Sequence, residues 1–237
     1  MKTNLSLRVL SIVVMSFSLL IAESCVSGPV TGDRPGSILP AEGFAGKRNT
    51  VLFLGDSITA GYGVNRKYSF PGFIGSYWEE HGVSLKAMNV GLSGYTTGQI
   101  LLYLDSFLSK DVCFVFLQIG GNDGFRSVPL DEIGANLGKI IDTIQAKGIT
   151  MAMAEMLLEP NQLPAGPGYA EGFNALWDEM AAEKNIPLLP FLFKSIPDVS
   201  DGYYWQSHNL HPTKEGNRLL ARDVLAFLNE KWILDIE

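Results

Sequence analysis

Cysteine is almost missing from this chain: the 237 residues hold two, at positions 25 and 113. So few thiols exclude a disulfide-stapled framework, which needs several bridges. Cys113 lies in the apolar run VCFVFLQIG, which reads as a buried strand, so it is expected to be an inert core thiol. Histidine is scarce as well, with three in all, and two of them, His208 and His211, share one short stretch. A histidine pair with no third ligand in sight does not make a zinc site, so no metal is expected there. Basic charge is also in deficit, with 18 Lys and Arg against 25 Asp and Glu and a net charge of −7. Nothing in such a chain offsets phosphate repulsion, and nucleic acid is not an expected partner. No internal repeat is visible, which argues for one ordinary globular unit.

The N-terminal residues 1–24 read as an address. Lys2 and Arg8 supply positive charge, VLSIVVMSFSLLIA an apolar run of signal-peptide length, and AESC the small residues that follow. A retained anchor helix is the alternative, but the run is short for a membrane span. Cys25, directly after the small residues, resembles the lipid-modified cysteine of bacterial lipoproteins. Cleavage before it would remove Lys2, Arg8 and Glu23, leaving 16 basic and 24 acidic residues and a formal charge of −8. From position 25 to 47 the chain is rich in Gly and Pro and has no period, as expected of a flexible tether. About 22 residues of coil span on the order of 25 Å, enough to hold a domain off a membrane surface. The expectation is an exported, lipid-anchored cell-envelope protein, periplasmic or at the outer surface, whose residues 48–237 form one monomeric domain.

Within that domain short apolar runs alternate with longer segments of helical spacing. Runs at 50–56, 83–90, 112–120, 149–156 and 186–191 read as strands. Between them, Ile133, Leu137, Ile140, Ile141 and Ile144 make one helical stripe, and Phe173, Leu176, Trp177 and Met180 another. Leu220, Val224 and Phe227 make the last, behind Thr213 as N-cap. Strand and helix in alternation, with near-continuous apolar strands, predict an α/β fold whose parallel sheet is covered on both faces. Sites in such sheets form beyond the C-terminal ends of the strands.

The residues found there are suggestive. GDSITAGYG follows the first strand and places Ser57 on a strand-to-helix turn, where a hydroxyl is exposed near amide N–H groups. The same serine would also serve as a helix N-cap. The glycines lack the Gly-Lys-Ser/Thr of a phosphate loop. NVGLSGYTTGQ follows the second strand and brackets a turn with Gly91 and Gly94. GGNDGF follows the third, and Asn122 there offers a neutral amide donor suited to an anion that forms only during reaction. His211 stands ahead of the final helix. Each residue alone has a structural explanation. Together, serine, glycine, asparagine and histidine are the components of acyl transfer.

In these four ordered blocks the chain resembles the SGNH, or GDSL, hydrolase family. GDSITAGYG is similar to its first block, GLSGYTT to its second, IGGNDGFRS to its third and HNLHPT to its last. The segments PLLPF and LPAGPGYAEGFNALW resemble the branch that holds bacterial thioesterase I, lysophospholipase L1 and arylesterases. The resemblance implies a three-layer α/β/α sandwich on a five-stranded parallel sheet, flavodoxin-like, and no cofactor. It implies Ser57 as nucleophile, His211 as base, and Gly94 and Asn122 in the oxyanion hole. The activity implied is hydrolysis of carboxylic esters, whether short-chain, aryl or lysophospholipid, with a small-molecule ester as the partner.

One position departs from the family. Its last block usually reads Asp-x-x-His, and here His208 replaces the acid. Three readings follow. His211 could be oriented by another acceptor, such as a backbone carbonyl, Asp201 or Asp198. Catalysis could be weakened, with the oxyanion hole carrying a residual rate. Or the domain could be an inactive ligand-binding or cell-surface module. The Pro- and Gly-rich residues 159–173, with 61–73, are expected to wall an apolar acyl pocket.

Overall fold

The computed structural model describes residues 48–197, 200–208 and 210–232. The expected leader, the tether with Cys25, and the candidate acid Asp198 lie outside the described residues. Five strands form one sheet: β1 Thr50–Gly55, β2 Lys86–Gly91, β3 Val112–Gln118, β4 Thr150–Ala154 and β5 Leu188–Leu189. Their order is β2-β1-β3-β4-β5, and every pairing is parallel. This is the doubly wound, flavodoxin-like arrangement, in which the chain leaves β1 in opposite directions for its two neighbours. Gly55 at the end of β1 pairs with both Gly91 of β2 and Gln118 of β3. The three loops that follow therefore emerge side by side.

Seven helices of the described residues surround the sheet. They are α1 Ser57–Ala60, α2 Phe70–Glu80, α3 Thr97–Phe107, α4 Gly121–Phe125, α5 Leu130–Ala146, α6 Pro167–Lys184 and α7 Lys214–Trp232. Successive strand residues point to opposite faces, and the two cores show it. Leu52 and Leu54 join Ile100 and Leu104 of α3, the Ile133–Leu137–Ile141–Ile144 stripe of α5 and Phe173 and Trp177 of α6. Val51 and Phe53 face the other way, onto Phe70, Ile74 and Trp78 of α2 and Leu220, Val224 and Phe227 of α7. The three-layer sandwich is the one expected.

Two strands differ from their sequence expectation. β5 has two residues where a run over 186–191 was expected, because Pro187 and Pro190 flank it and cannot donate to a ladder. β2 begins at Lys86, three residues later than expected, and is mostly half-buried because it is the edge strand. The final helix starts as predicted: the Thr213 hydroxyl accepts the Gly216 N–H at 3.3 Å. The Pro- and Gly-rich stretch 159–173 is loop only in its first part, since α6 opens at Pro167, a residue suited to the first turn.

Candidate active site

The segment after β1 is folded so that the serine side chain is left free. Asp56, not Ser57, caps α1: its Oδ1 accepts the Ile58 N–H at 3.0 Å. Asp56 is buried, and burial pushes its pKa up to about 6, although the Ile58 N–H pulls the other way. The structural role foreseen for Ser57 is thus taken by its neighbour. The Ser57 Oγ instead lies 2.7 Å from Nε2 of His211, across 154 residues of sequence.

The loops after β2 and β3 complete the surroundings. Gly94 has φ of +82°, a left-handed conformation that a glycine adopts without strain. Its carbonyl accepts from Arg126 Nη2 at 2.8 Å. Asn122 stands in the short helix α4 and donates one side-chain N–H to the Tyr95 carbonyl at 3.1 Å, which leaves its second N–H for a ligand. Among the described residues the backbone N–H groups of Ser57 and Gly94 have no acceptor. Asp123 fastens these two loops together. Its carboxylate accepts the Thr97 hydroxyl at 2.6 Å and the Thr97 N–H at 2.9 Å, locking the start of α3 to α4. Burial raises the Asp123 pKa, and the Thr97 hydroxyl and N–H lower it.

His211 is buried, while His208 beside it is exposed. Nδ1 of His211, the atom a carboxylate would hold, has no hydrogen-bond partner among the described residues. Asp201 does not supply one: its Oδ1 accepts the N–H of Tyr203 within its own turn. His208 presents its ring edge-on, with centroids 4.9 Å apart and planes at 83°, and its Nδ1 accepts the Leu210 N–H at 3.3 Å. Tyr62 packs its ring at 4.7 Å from that of His211. Loss of water around the imidazole pushes the His211 pKa down to about 4, and the neighbouring His208 adds to the shift. His211 is therefore neutral, and able to accept a proton, over the whole physiological range.

The structure brings Ser57 and His211 into contact and places Gly94 and Asn122 on the adjacent strand ends. The capping role of Asp56, the lock at Asp123 and the packing of Tyr62 escaped the sequence reading. Only the first has a local signal, an Asp directly before a short helix. The arrangement can move a proton from a hydroxyl to an imidazole beside N–H groups free to receive an anion.

Comparison with known proteins gives a consistent picture. The profile of the GDSL-like Lipase/Acylhydrolase family matches residues 53–219. An arylesterase of Vibrio mimicus is 30% identical over 175 residues, which cover 73% of this chain and 85% of that protein. A thioesterase 1/protease 1/lysophospholipase L1 of Escherichia coli K12 is 30% identical over 180 residues, covering 75% and 82%. The crystal structure of the psychrotrophic esterase EstA from Pseudoalteromonas sp., inhibited by monoethylphosphonate, superposes with a TM-score of 0.71 at 26% identity, covering 77% of this chain and 97% of that one.

Proposed function

The chain belongs to the GDSL-like lipase/acylhydrolase family, and on that premise we propose that it hydrolyses carboxylic esters through an acyl intermediate on Ser57. The observation that carries the reading is the 2.7 Å contact of Ser57 Oγ with His211 Nε2, beside N–H groups that have no acceptor among the described residues. His211 Nε2 takes the hydroxyl proton as Oγ attacks the ester carbonyl. The carbonyl oxygen becomes an oxyanion, received by the N–H groups of Ser57 and Gly94 and by the free N–H of the Asn122 side chain. Collapse of the tetrahedral intermediate breaks the ester C–O bond, and His211 returns the proton to the leaving alcohol. A water then enters by the same route, attacks the acyl-serine and releases the acid.

The step that differs from a full triad is the protonation of His211. No carboxylate among the described residues stabilises the imidazolium, so the charge forms in a buried site at a cost. In the serine-protease template, exchanging the acid for a neutral amide lowers the rate about 10⁴-fold, and the oxyanion hole with binding keeps about 10³–10⁴ over water. We place this protein as a slow dyad enzyme between those limits. No observation favours the inactive-module alternative. The names of the relatives and the aromatic and small residues near the site support esters with short or aryl groups, with lysophospholipids as the larger option. For location we propose export and lipid attachment at Cys25, supported by the order of charge, apolar run and small residues at the N-terminus.

The test is hydrolysis of p-nitrophenyl acetate by residues 26–237 beside a Ser57→Ala variant. Turnover lost in the variant supports the serine mechanism. Equal rates in both sink it.

A further inference from the structure

Nδ1 of His211 lacks an acceptor among the described residues, yet the imidazole meets Ser57 at 2.7 Å. No carboxylate among the described residues fixes the ring. Gln206 instead ties together the backbone that carries it and the backbone of the nucleophile loop. Its side-chain amide donates one N–H to the Tyr62 carbonyl and the other to the Pro212 carbonyl, at 2.6 Å and 3.0 Å. Its backbone N–H donates to the His211 carbonyl at 2.9 Å.

The two carbonyls joined by this one amide belong to the two halves of the reacting pair. Tyr62 is tied to the nucleophile, because its own N–H donates to the Ser57 carbonyl at 3.0 Å. Pro212 directly follows His211 and bridges to Trp205 as a short antiparallel pair. The bonds run from Ser57 to Tyr62, through the Gln206 amide, to Pro212 and His211. The fit leaves little slack. Gly63 has φ of +80°, and a Cβ there would come within 2.2 Å of Gln206 Oε1. The absence of a Cβ at Gly63 is what lets the amide approach the nucleophile loop this closely. On the same side the Tyr62 ring, carried by the clamped backbone, packs against the imidazole.

We infer that Gln206 is a positioning residue that sets the Ser57–His211 geometry in place of an aspartate at position 208. The inference rests on the esterase reading, and its test separates the two. Gln206→Met keeps the length of the side chain and removes both donors. Crystal structures of the parent and this variant, which need no turnover, are expected to show Ser57 Oγ and His211 Nε2 moving out of hydrogen-bond reach. Steady-state kinetics on p-nitrophenyl acetate are expected to show kcat lower by about 10- to 100-fold, the scale of a misplacement near 1 Å, with KM within about twofold. Adding His208→Asp, which gives the imidazole a second anchor, is expected to raise kcat by a larger factor in the Gln206→Met background than in the parent. A purely structural glutamine would give the same factor in both. An unchanged Ser57–His211 distance, or equal factors in the two backgrounds, overturns the positioning role. A parent without Ser57-dependent turnover overturns the esterase reading instead, and the crystal structures then decide the clamp alone.

Discussion

Replacing His208 by aspartate should improve this protein as a catalyst and make it more sensitive to acid. The imidazole of His211 is held at a pKa of about 4, by burial and then by His208, where an unperturbed histidine has 6.5. The rings are 4.9 Å apart and Nδ1 of His211 is unpartnered among the described residues, so a carboxylate from position 208 has an N–H to accept and a charge to offer. Returning the pKa to its ordinary value is worth about 3 kcal/mol of imidazolium stabilisation. If between half and all of that is expressed in the transition state, kcat rises by about 10- to 200-fold. The same change has an opposite effect at low pH. The parent should keep its base deprotonated, and kcat/KM level, until the pH falls toward about 4. His208→Asp should lose activity from about pH 6.5 downward, so the gap between the two narrows on acidification. The assay is kcat/KM on p-nitrophenyl acetate from pH 4 to 8 for both proteins, with Ser57→Ala as blank. A variant with unchanged kcat and an unmoved acid limb would refute the account of His208.

The remaining predictions concern the oxyanion hole, a buried carboxylate, the core and the N-terminus. Asn122→Ala should lower kcat by about 10²–10³ with little effect on KM, the usual consequence of losing one oxyanion donor. Asp56 has a pKa raised from 3.8 to about 6. Its contribution to stability is therefore fully present below pH 3.8 and is lost as the pH rises through 6. Asp56→Asn keeps the cap acceptor without the buried charge and should raise Tm at pH 8, with the gap to the parent closing toward pH 4. Trp177→Ala empties a fully buried site beneath α6 and should destabilise by about 3–5 kcal/mol in urea unfolding. Metabolic labelling with palmitate should mark the full-length protein and be lost in Cys25→Ser; labelling that persists would count against lipid attachment at that residue.

Much of this could be read from the chain because its signals are local. The alternation of apolar runs with stripes such as Ile133–Leu137–Ile141 follows directly from how strands and helices bury a face. Ser57, Gly94 and Asn122 stood out as candidates because a parallel sheet gathers chemistry at strand ends, and β1, β2 and β3 end in register. Prolines limited the reading of β5: Pro187 and Pro190 sit inside an apolar run whose composition alone suggests a longer strand. The clamp was not legible at all. Gln206 and Tyr62 are 144 residues apart and have no shared pattern, so only the folded chain puts the amide on that carbonyl. The absence of an acid was plain in HNLHPT, but not its consequence, an Nδ1 buried without an acceptor among the described residues.

The central claim is that Ser57 is a nucleophile activated by His211 without an acid at 208. Intact-mass spectrometry after treatment with a fluorophosphonate tests it most directly, since the reagent reports the activated hydroxyl whatever the natural ester is. One covalent adduct that maps to Ser57 is expected, absent in Ser57→Ala and formed much more slowly in His211→Ala. No adduct on the parent protein, or one formed equally fast without His211, would contradict it.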